Sequence, residues 1–317
     1  MDRLKLKIAI LLFSSFFIII TSLYFVNSWY IGLGMERQAS TIFSKNFEPS
    51  VQKIYLLGNS RIERLDTNFI NKLLNEDGHN YTVYSLAKGG VLPVDTLPLL
   101  DKIIATKPIL VLIGIDPTDM RGGKICNISD IVFIKNREAV INNPEYFKCV
   151  IPSEFHGINF QNFKDPRTTT LSLIKMTFSQ DQAEANQYDP YGILTHQQLK
   201  NAVKMAPYRA TIILDNNPNI TALEKIITKL KTNGIKVVVI VTPRSQLYLN
   251  TIPKTEKQVF SSIVSEVQNK TEIKIYSLFD KYANLEIWSD TDHVTRDPKG
   301  LIYSQDVAKI IKDELVS

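Results

Sequence analysis

Residues 53–60 read Lys-Ile-Tyr-Leu-Leu-Gly-Asn-Ser, an apolar run of strand length that stops at a glycine and a polar pair. A short apolar run bounded by a turn residue fits a strand buried on both faces of a sheet. Working outward, runs of the same kind recur at 81–86 (YTVYSL), 109–113 (ILVLI), 235–241 (IKVVVIV) and 273–278 (IKIYSL). Between them the apolar residues fall at helical spacing. Asp66 stands where an N-cap is expected, ahead of Phe69, Ile70, Leu73 and Leu74, and predicts a helix to about residue 75. Helices are also predicted over 94–105, over 221–232 with Gly234 as its stop, over 256–268 and over 301–315. Strands alternating with helices predict an α/β fold with a doubly wound, mostly parallel five-stranded sheet. In such sheets ligands bind outside the carboxyl ends of the strands, so polar residues that follow strands matter most.

Two regions interrupt this rhythm. From Ile8 to Met35 there is no charged side chain, and Ile8 to Val26 is almost wholly Ile, Leu, Phe and Val. About 20 such residues cross a hydrocarbon layer of roughly 30 Å. Arg3, Lys5 and Lys7 precede the run, and Trp29 and Tyr30 follow it where an interfacial belt would sit. The expectation is a cytoplasmic tip and single-pass anchor over 1–35, a stalk over 36–52, and an α/β domain over 53–317 on the extracytoplasmic side of the cell membrane. A cleaved signal peptide fits less well, because the apolar run is long and no A-x-A site follows. The second interruption, about 117–208, is polar and broken by Pro144, Pro152, Pro166 and Pro190. It is too long for a plain loop and is expected to be an insertion with short helices of its own.

The charge balance, 37 basic against 32 acidic residues, is only mildly positive and contains no dense Lys/Arg block, so nucleic acid is not an expected partner. Two cysteines cannot build a four-cysteine metal site. Outside a cytoplasmic membrane, Cys126 and Cys149 are expected to be oxidised to one bridge. Arg61, Lys88, Arg244 and Arg296 would suit an anionic envelope polymer, but scattered basic residues usually sit on a solvated face, and they are read as that.

Three polar groups follow strands. Gly58-Asn59-Ser60-Arg61 comes directly after the first, where a serine would sit at the carboxyl edge near backbone N–H groups that face an anion. Gly89-Gly90 comes after the second, where glycine lets the backbone approach a ligand. Asp290-Thr291-Asp292-His293 lies between the last strand and the last helix. An aspartate three residues before a histidine can fix one imidazole tautomer, and the histidine can then take a proton from a serine hydroxyl. Asp290, Asp292 and His293 could alternatively bind a metal, but they are too few for the reading to be favoured, and no cofactor is expected.

Gly-x-Ser after the first strand and Asp-x-x-His before the last helix together resemble the blocks of the SGNH hydrolase superfamily, also called GDSL-like. The resemblance covers roughly 53–116 and 211–317. It implies a three-layer, flavodoxin-like architecture, with Ser60 as nucleophile, His293 as general base and Asp290 as the residue that orients it. The implied oxyanion donors are the Ser60 N–H and Gly89 or Gly90, with Asn59 and Asp116 at the substrate side. The apolar N-terminus and the run from Asn233-Gly234-Ile235 to Pro243 are similar to a membrane-anchored, extracytoplasmic subgroup. That subgroup includes the D-alanine-transfer protein of the lipoteichoic acid pathway and accessory acetyltransferases of exopolysaccharide systems. The implied activity is a serine esterase or O-acyltransferase acting on an acylated glycan or other envelope ester, with a membrane acyltransferase as a further partner. Two departures stand out. Asn59 replaces the aspartate of many members, and Asp116 stands where a side-chain amide donor is usual. An ionised aspartate there would repel a developing oxyanion, and loss of one such donor costs about 2.7–4 kcal/mol of transition-state stabilisation. The other expectation is therefore a catalytically weak or inactive binding and assembly protein of the envelope.

Overall fold

The computed structural model describes residues 38–44, 48, 50–121, 192–208, 210 and 212–316. The apolar N-terminal stretch, both cysteines and most of the expected insertion lie outside them. Among the described residues no helix is long and apolar enough to cross a membrane. Residues 38–43 are helical and belong to a separate unit, residues 1–45 with 124–150. The larger unit comprises residues 46–123 with 151–317.

Five strands form one sheet: β1 (Gln52–Leu57), β2 (Tyr81–Ser85), β3 (Leu110–Ile115), β4 (Lys236–Val241) and β5 (Ile275–Ser277). Their order is β2-β1-β3-β4-β5 and every pairing is parallel. The central strands match the apolar runs because both faces are covered. All six residues of β3 are buried, as are the last four of β1.

The helices are α1 (Ser60–Glu63), α2 (Thr67–Leu74), α3 (Pro93–Thr96), α4 (Leu100–Ala105), α5 (His196–Met205), α6 (Pro218–Thr232), α7 (Gln246–Leu249), α8 (Lys254–Thr271) and α9 (Leu301–Val316). Helices α2 and α9 pack against one another. Their Ile70, Leu74, Val307 and Ile311 share a cluster with Ile54, Leu56, Leu110, Leu112, Val238 and Ile240 of the sheet. The alternate strand residues Leu57 and Ile113 face Ile226 of α6, and α6 also contacts α3 and α8. Period-2 alternation in the strands thus divides the sheet side chains between two helical layers.

Helix starts follow local chemistry. Asp66 caps α2 by accepting the Phe69 N–H at 2.9 Å, and Asn217 caps α6 by accepting the Asn219 N–H at 3.0 Å, ahead of Pro218 at the first helical position. That cap begins α6 three residues before the expected 221. The single helix expected over 94–105 is instead α3, a tight 3₁₀ turn over Leu97–Leu99, and α4. Pro98 lacks an N–H and clashes with the preceding turn, which breaks regular helix there. Within the expected insertion, α5 opens with a capping box between Thr195 and Gln198.

The topology fixes where a ligand goes. With the order 2-1-3-4-5, the chain leaves β1 toward one edge and β3 toward the other, and the crevice lies between their carboxyl ends. Gly58 makes the turn out of β1 at φ +134°, a conformation open to glycine, and a Cβ there would lie 2.8 Å from the Gly114 carbonyl oxygen. Gly58→Ala is expected to lower stability by about 1–3 kcal/mol in urea titration, through backbone strain and overpacking. An unchanged unfolding midpoint would show that the close approach of β1 and β3 is not required.

Candidate active site

Ser60 is the first residue of α1. Asn59 before it is the N-cap, and its Oδ1 accepts the Arg61 N–H at 2.9 Å. The Asn59 amide nitrogen lies 2.7 Å from both carboxylate oxygens of Asp119. Asp119 also accepts the Asp116 N–H at 2.9 Å, which joins the turn after β1 to the turn after β3.

His293 comes from the far end of the chain. Its loop is closed by a bridge between Trp288 and Val294, with the Thr295 N–H donating to the Ile287 carbonyl at 2.8 Å and Trp288 only 2% exposed beneath it. Asp290 Oδ1 accepts the backbone N–H groups of Asp292 at 2.9 Å and His293 at 2.8 Å, so its carboxylate is fixed by its own turn. His293 Nδ1 lies 2.8 Å from Asp290 Oδ2, and Nε2 lies 2.6 Å from Ser60 Oγ. The consistent arrangement has Nδ1–H donating to Asp290 and the serine hydroxyl donating to Nε2. Serine and histidine are 233 positions apart, yet they meet within the 2.6–3.2 Å reach that proton transfer needs.

A buried ionic group lies beside this triad. Arg61 Nη1 is 2.8 Å from Asp116 Oδ2 and Arg61 Nη2 is 2.5 Å from Asp292 Oδ2. Arg244, with a wholly buried side chain, pairs with Asp116 and reaches Asp292 Oδ2 at 2.5 Å. Its guanidinium also lies over the Tyr248 ring, 4.6 Å from the centroid. Arg61 and Arg244 are thus not on the solvated face expected of them. Each is enclosed between the same two carboxylates, which lie on other segments. Burial alone would raise the Asp292 carboxyl, but Arg61 and Arg244 outweigh it and hold it well below the ordinary carboxylate range. For Asp116, burial is likewise outweighed, by Arg244 and then Arg61. Asp119 goes the other way: burial, with the nearby Asp116 charge, pushes it up to about 7.

The Gly89 N–H donates to Glu63 Oε2 at 2.9 Å, and a Cβ on Gly89 would be 3.7 Å from the Ser60 Cβ. Gly90 lines a cavity of about 190 Å³ together with Asn59, Ser60, Val91, Leu92 and Arg121. The hydrogen bonds of the described residues leave the N–H groups of Ser60 and Gly90 without an acceptor. The Asn59 amide is given to Asp119, and Asp116 is wholly buried against the two arginines. Asp116 also accepts the Thr118 N–H and hydroxyl, each at 2.6 Å. Its carboxylate is therefore turned into the ionic group, where it is neutralised. Asp290, Asp292 and His293 are close enough together to form a candidate cation cluster. A cation there would compete with two guanidiniums for Asp292 and with the imidazole for Asp290. Lys88 sits 4.0 Å from Glu63, and the Arg296 guanidinium donates to the Glu63 carbonyl at 3.1 Å.

No family model and no curated relative matches the sequence. Among solved structures, the chain is similar to TesA, at 12% identity over 83% of this chain and 99% of that one, with a TM-score of 0.42. It is similar to the acetyl xylan esterase AlAXEase at 10% identity over 83% and 97%, with a TM-score of 0.40. It is also similar to a catalytic mutant of Axe2, an acetylxylan esterase from Geobacillus stearothermophilus, at 12% identity over 83% and 93%, with a TM-score of 0.42. A likeness this loose carries no inference about chemistry, which rests on the chain's own geometry.

The ionic group makes a stability prediction. Arg244→Met leaves two carboxylates buried against one guanidinium and is expected to cost about 3–5 kcal/mol at neutral pH, read by urea unfolding. Asp116 and Asp292 have folded-state pKa values below their unfolded ones. Their contribution is present above the unfolded value near 3.9 and is lost as pH falls through the depressed folded values. Removing Arg244 raises those folded values, so acid unfolding of the variant is expected at a higher pH than in the parent. An unchanged acid midpoint would contradict the assignment.

Proposed function

We propose that this chain is a serine acyl hydrolase or acyltransferase of the SGNH type. The observation that carries the proposal is the contact of Ser60 Oγ with His293 Nε2 at 2.6 Å, with Asp290 on the opposite ring nitrogen. In this mechanism Ser60 Oγ attacks an ester carbonyl while His293 takes its proton, and Asp290 stabilises the resulting imidazolium. In this reading the carbonyl oxygen becomes an oxyanion met by the Ser60 and Gly90 N–H groups, which the hydrogen bonds of the described residues leave without an acceptor. His293 then returns its proton to the leaving alkoxide. The acyl-enzyme is resolved by water, giving hydrolysis, or by a sugar or polyol hydroxyl, giving transfer. With Asn59 held by Asp119 and Asp116 by two arginines, backbone donors carry the oxyanion in place of a side-chain amide.

The apolar run at 8–26 with its basic N-terminal flank supports an extracytoplasmic setting on a single-pass anchor. In that setting the substrate is an acylated glycan or other ester of the cell envelope, and a membrane acyltransferase is a fitting partner. One observation favours a second reading, a binding or assembly protein on the same fold: neither Asn59 nor Asp116 presents a free side-chain donor beside Ser60.

Hydrolysis of p-nitrophenyl acetate by the full chain, compared with Ser60→Ala, separates the two. The acyl-enzyme mechanism predicts a loss of at least about 10³-fold in kcat/KM in the variant. Equal rates, or no activity in the parent above the uncatalysed reaction, would favour the binding protein.

A further inference from the structure

We infer that Asp292 is a second positioning carboxylate for His293, and that the ionic group it belongs to carries the register between the serine and histidine segments. The inference rests on the proposed reaction, and the observations behind it are geometric. Asp292 Oδ1 lies 3.2 Å from His293 Nδ1, the nitrogen that Asp290 approaches at 2.8 Å. The two oxygens of Asp292 do different work. Oδ2 accepts from Arg61 and Arg244, each at 2.5 Å, while Oδ1 faces the ring and accepts the Thr291 hydroxyl at 3.2 Å. Thr291 is held in turn, since its carbonyl accepts the Ser245 hydroxyl at 3.0 Å.

The consequence for the two segments is direct. Arg61 is covalently next to Ser60, and Asp292 is covalently next to His293. Their 2.5 Å ion pair spans 231 positions of sequence and runs beside the 2.6 Å serine–histidine contact. Arg244, from the turn after β4, and Asp116, from the end of β3, complete a quartet with two charges of each sign. A neutral quartet can be buried where a lone ion could not. With that partner set, Asp292 stays ionised beside the imidazole instead of taking up a proton.

The groups facing the imidazole can be named. From its own loop they are Asp290 and Asp292. From the first block it is Ser60, with Arg61 behind Asp292; Arg64 is near enough to feel the charges of both Asp290 and Asp292. Arg244 and Asp116 stand behind Asp292. Among the described residues only Asp290 and Asp292 approach Nδ1, and Asp290 takes its hydrogen. The part left to Asp292 is a fixed negative charge that favours the imidazolium formed when Ser60 attacks.

Asp292→Asn removes that charge. Losing a carboxylate at this distance disfavours the imidazolium. A loss of about tenfold is expected in a step that builds up imidazolium. We expect kcat on p-nitrophenyl acetate to fall about tenfold with KM within about twofold, and the acidic limb of the kcat/KM profile to move to lower pH. The same shift is read without substrate from the imidazole titration by NMR of ¹³C-histidine-labelled full chain, where four histidines give few signals. Asp116→Asn is the comparator: it unbalances the same quartet from the side away from the ring and is expected to move the His293 titration less. If Asp292→Asn does not fold, the double variant Asp292→Asn with Arg244→Met removes one charge of each sign and still lowers the titration. A His293 titration unchanged in Asp292→Asn or in the double variant, or moved equally by Asp116→Asn, would overturn the inference. A parent chain without esterase activity overturns the proposed reaction, and the kinetic part of this inference with it. The NMR titration still decides whether Asp292 sets the charge state of His293.

Discussion

Two arginines and two aspartates, all buried but for the partly exposed Asp292, hold together segments that the chain keeps far apart. Arg61 follows the first strand, Asp116 the third, Arg244 the fourth, and Asp292 lies in the loop before the last helix. Each guanidinium bridges the same two carboxylates. Removing any one member would leave a buried charge uncompensated, which costs more than an intact pair contributes. The rim of the sheet is therefore constrained as a unit, and Ser60 and His293 are carried on two of its members.

Around that constraint the fold does conventional work. A parallel sheet with both faces covered places the ends of β1, β3 and β4 side by side, and the 2-1-3-4-5 order opens a crevice between β1 and β3. Gly58 lets the chain leave β1 against the Gly114 carbonyl, and Asn59 starts a single helical turn that presents Ser60. The loop from Trp288 to Val294 brings Asp290 and His293 to the same place, with the aspartate clasped by two backbone N–H groups. Ser60, Asp290 and His293 are thus each held by their own turns, an arrangement that the proposed acyl transfer would use.

Much of this was legible in the residues. The five apolar runs became the five strands within two residues at each end, and the central three are the most apolar because both their faces are covered. Asp66 was readable as a cap because its side chain bonds within its own turn. The pairing of Gly-x-Ser with Asp-x-x-His was readable because each block sits directly after a strand or before a helix. What could not be read depends on partners remote in sequence. Arg61 and Arg244 look like ordinary surface cations until Asp116 and Asp292 are placed around them. Asn59 looks like a free amide until its nitrogen is seen held 2.7 Å from both oxygens of Asp119. Asp116 looks like a harmful charge beside an oxyanion until its carboxylate is seen turned away and neutralised. The break of the 94–105 helix was available from Pro98, but its apolar spacing outweighed that signal.

The central claim is that His293 makes Ser60 a nucleophile. The most direct measurement is intact-mass analysis of the full chain after exposure to a fluorophosphonate, followed by peptide mapping. The account predicts one added phosphonyl group, carried on Ser60 and lost in His293→Ala. A chain that stays unmodified, or one modified at another residue with Ser60 untouched, would contradict it.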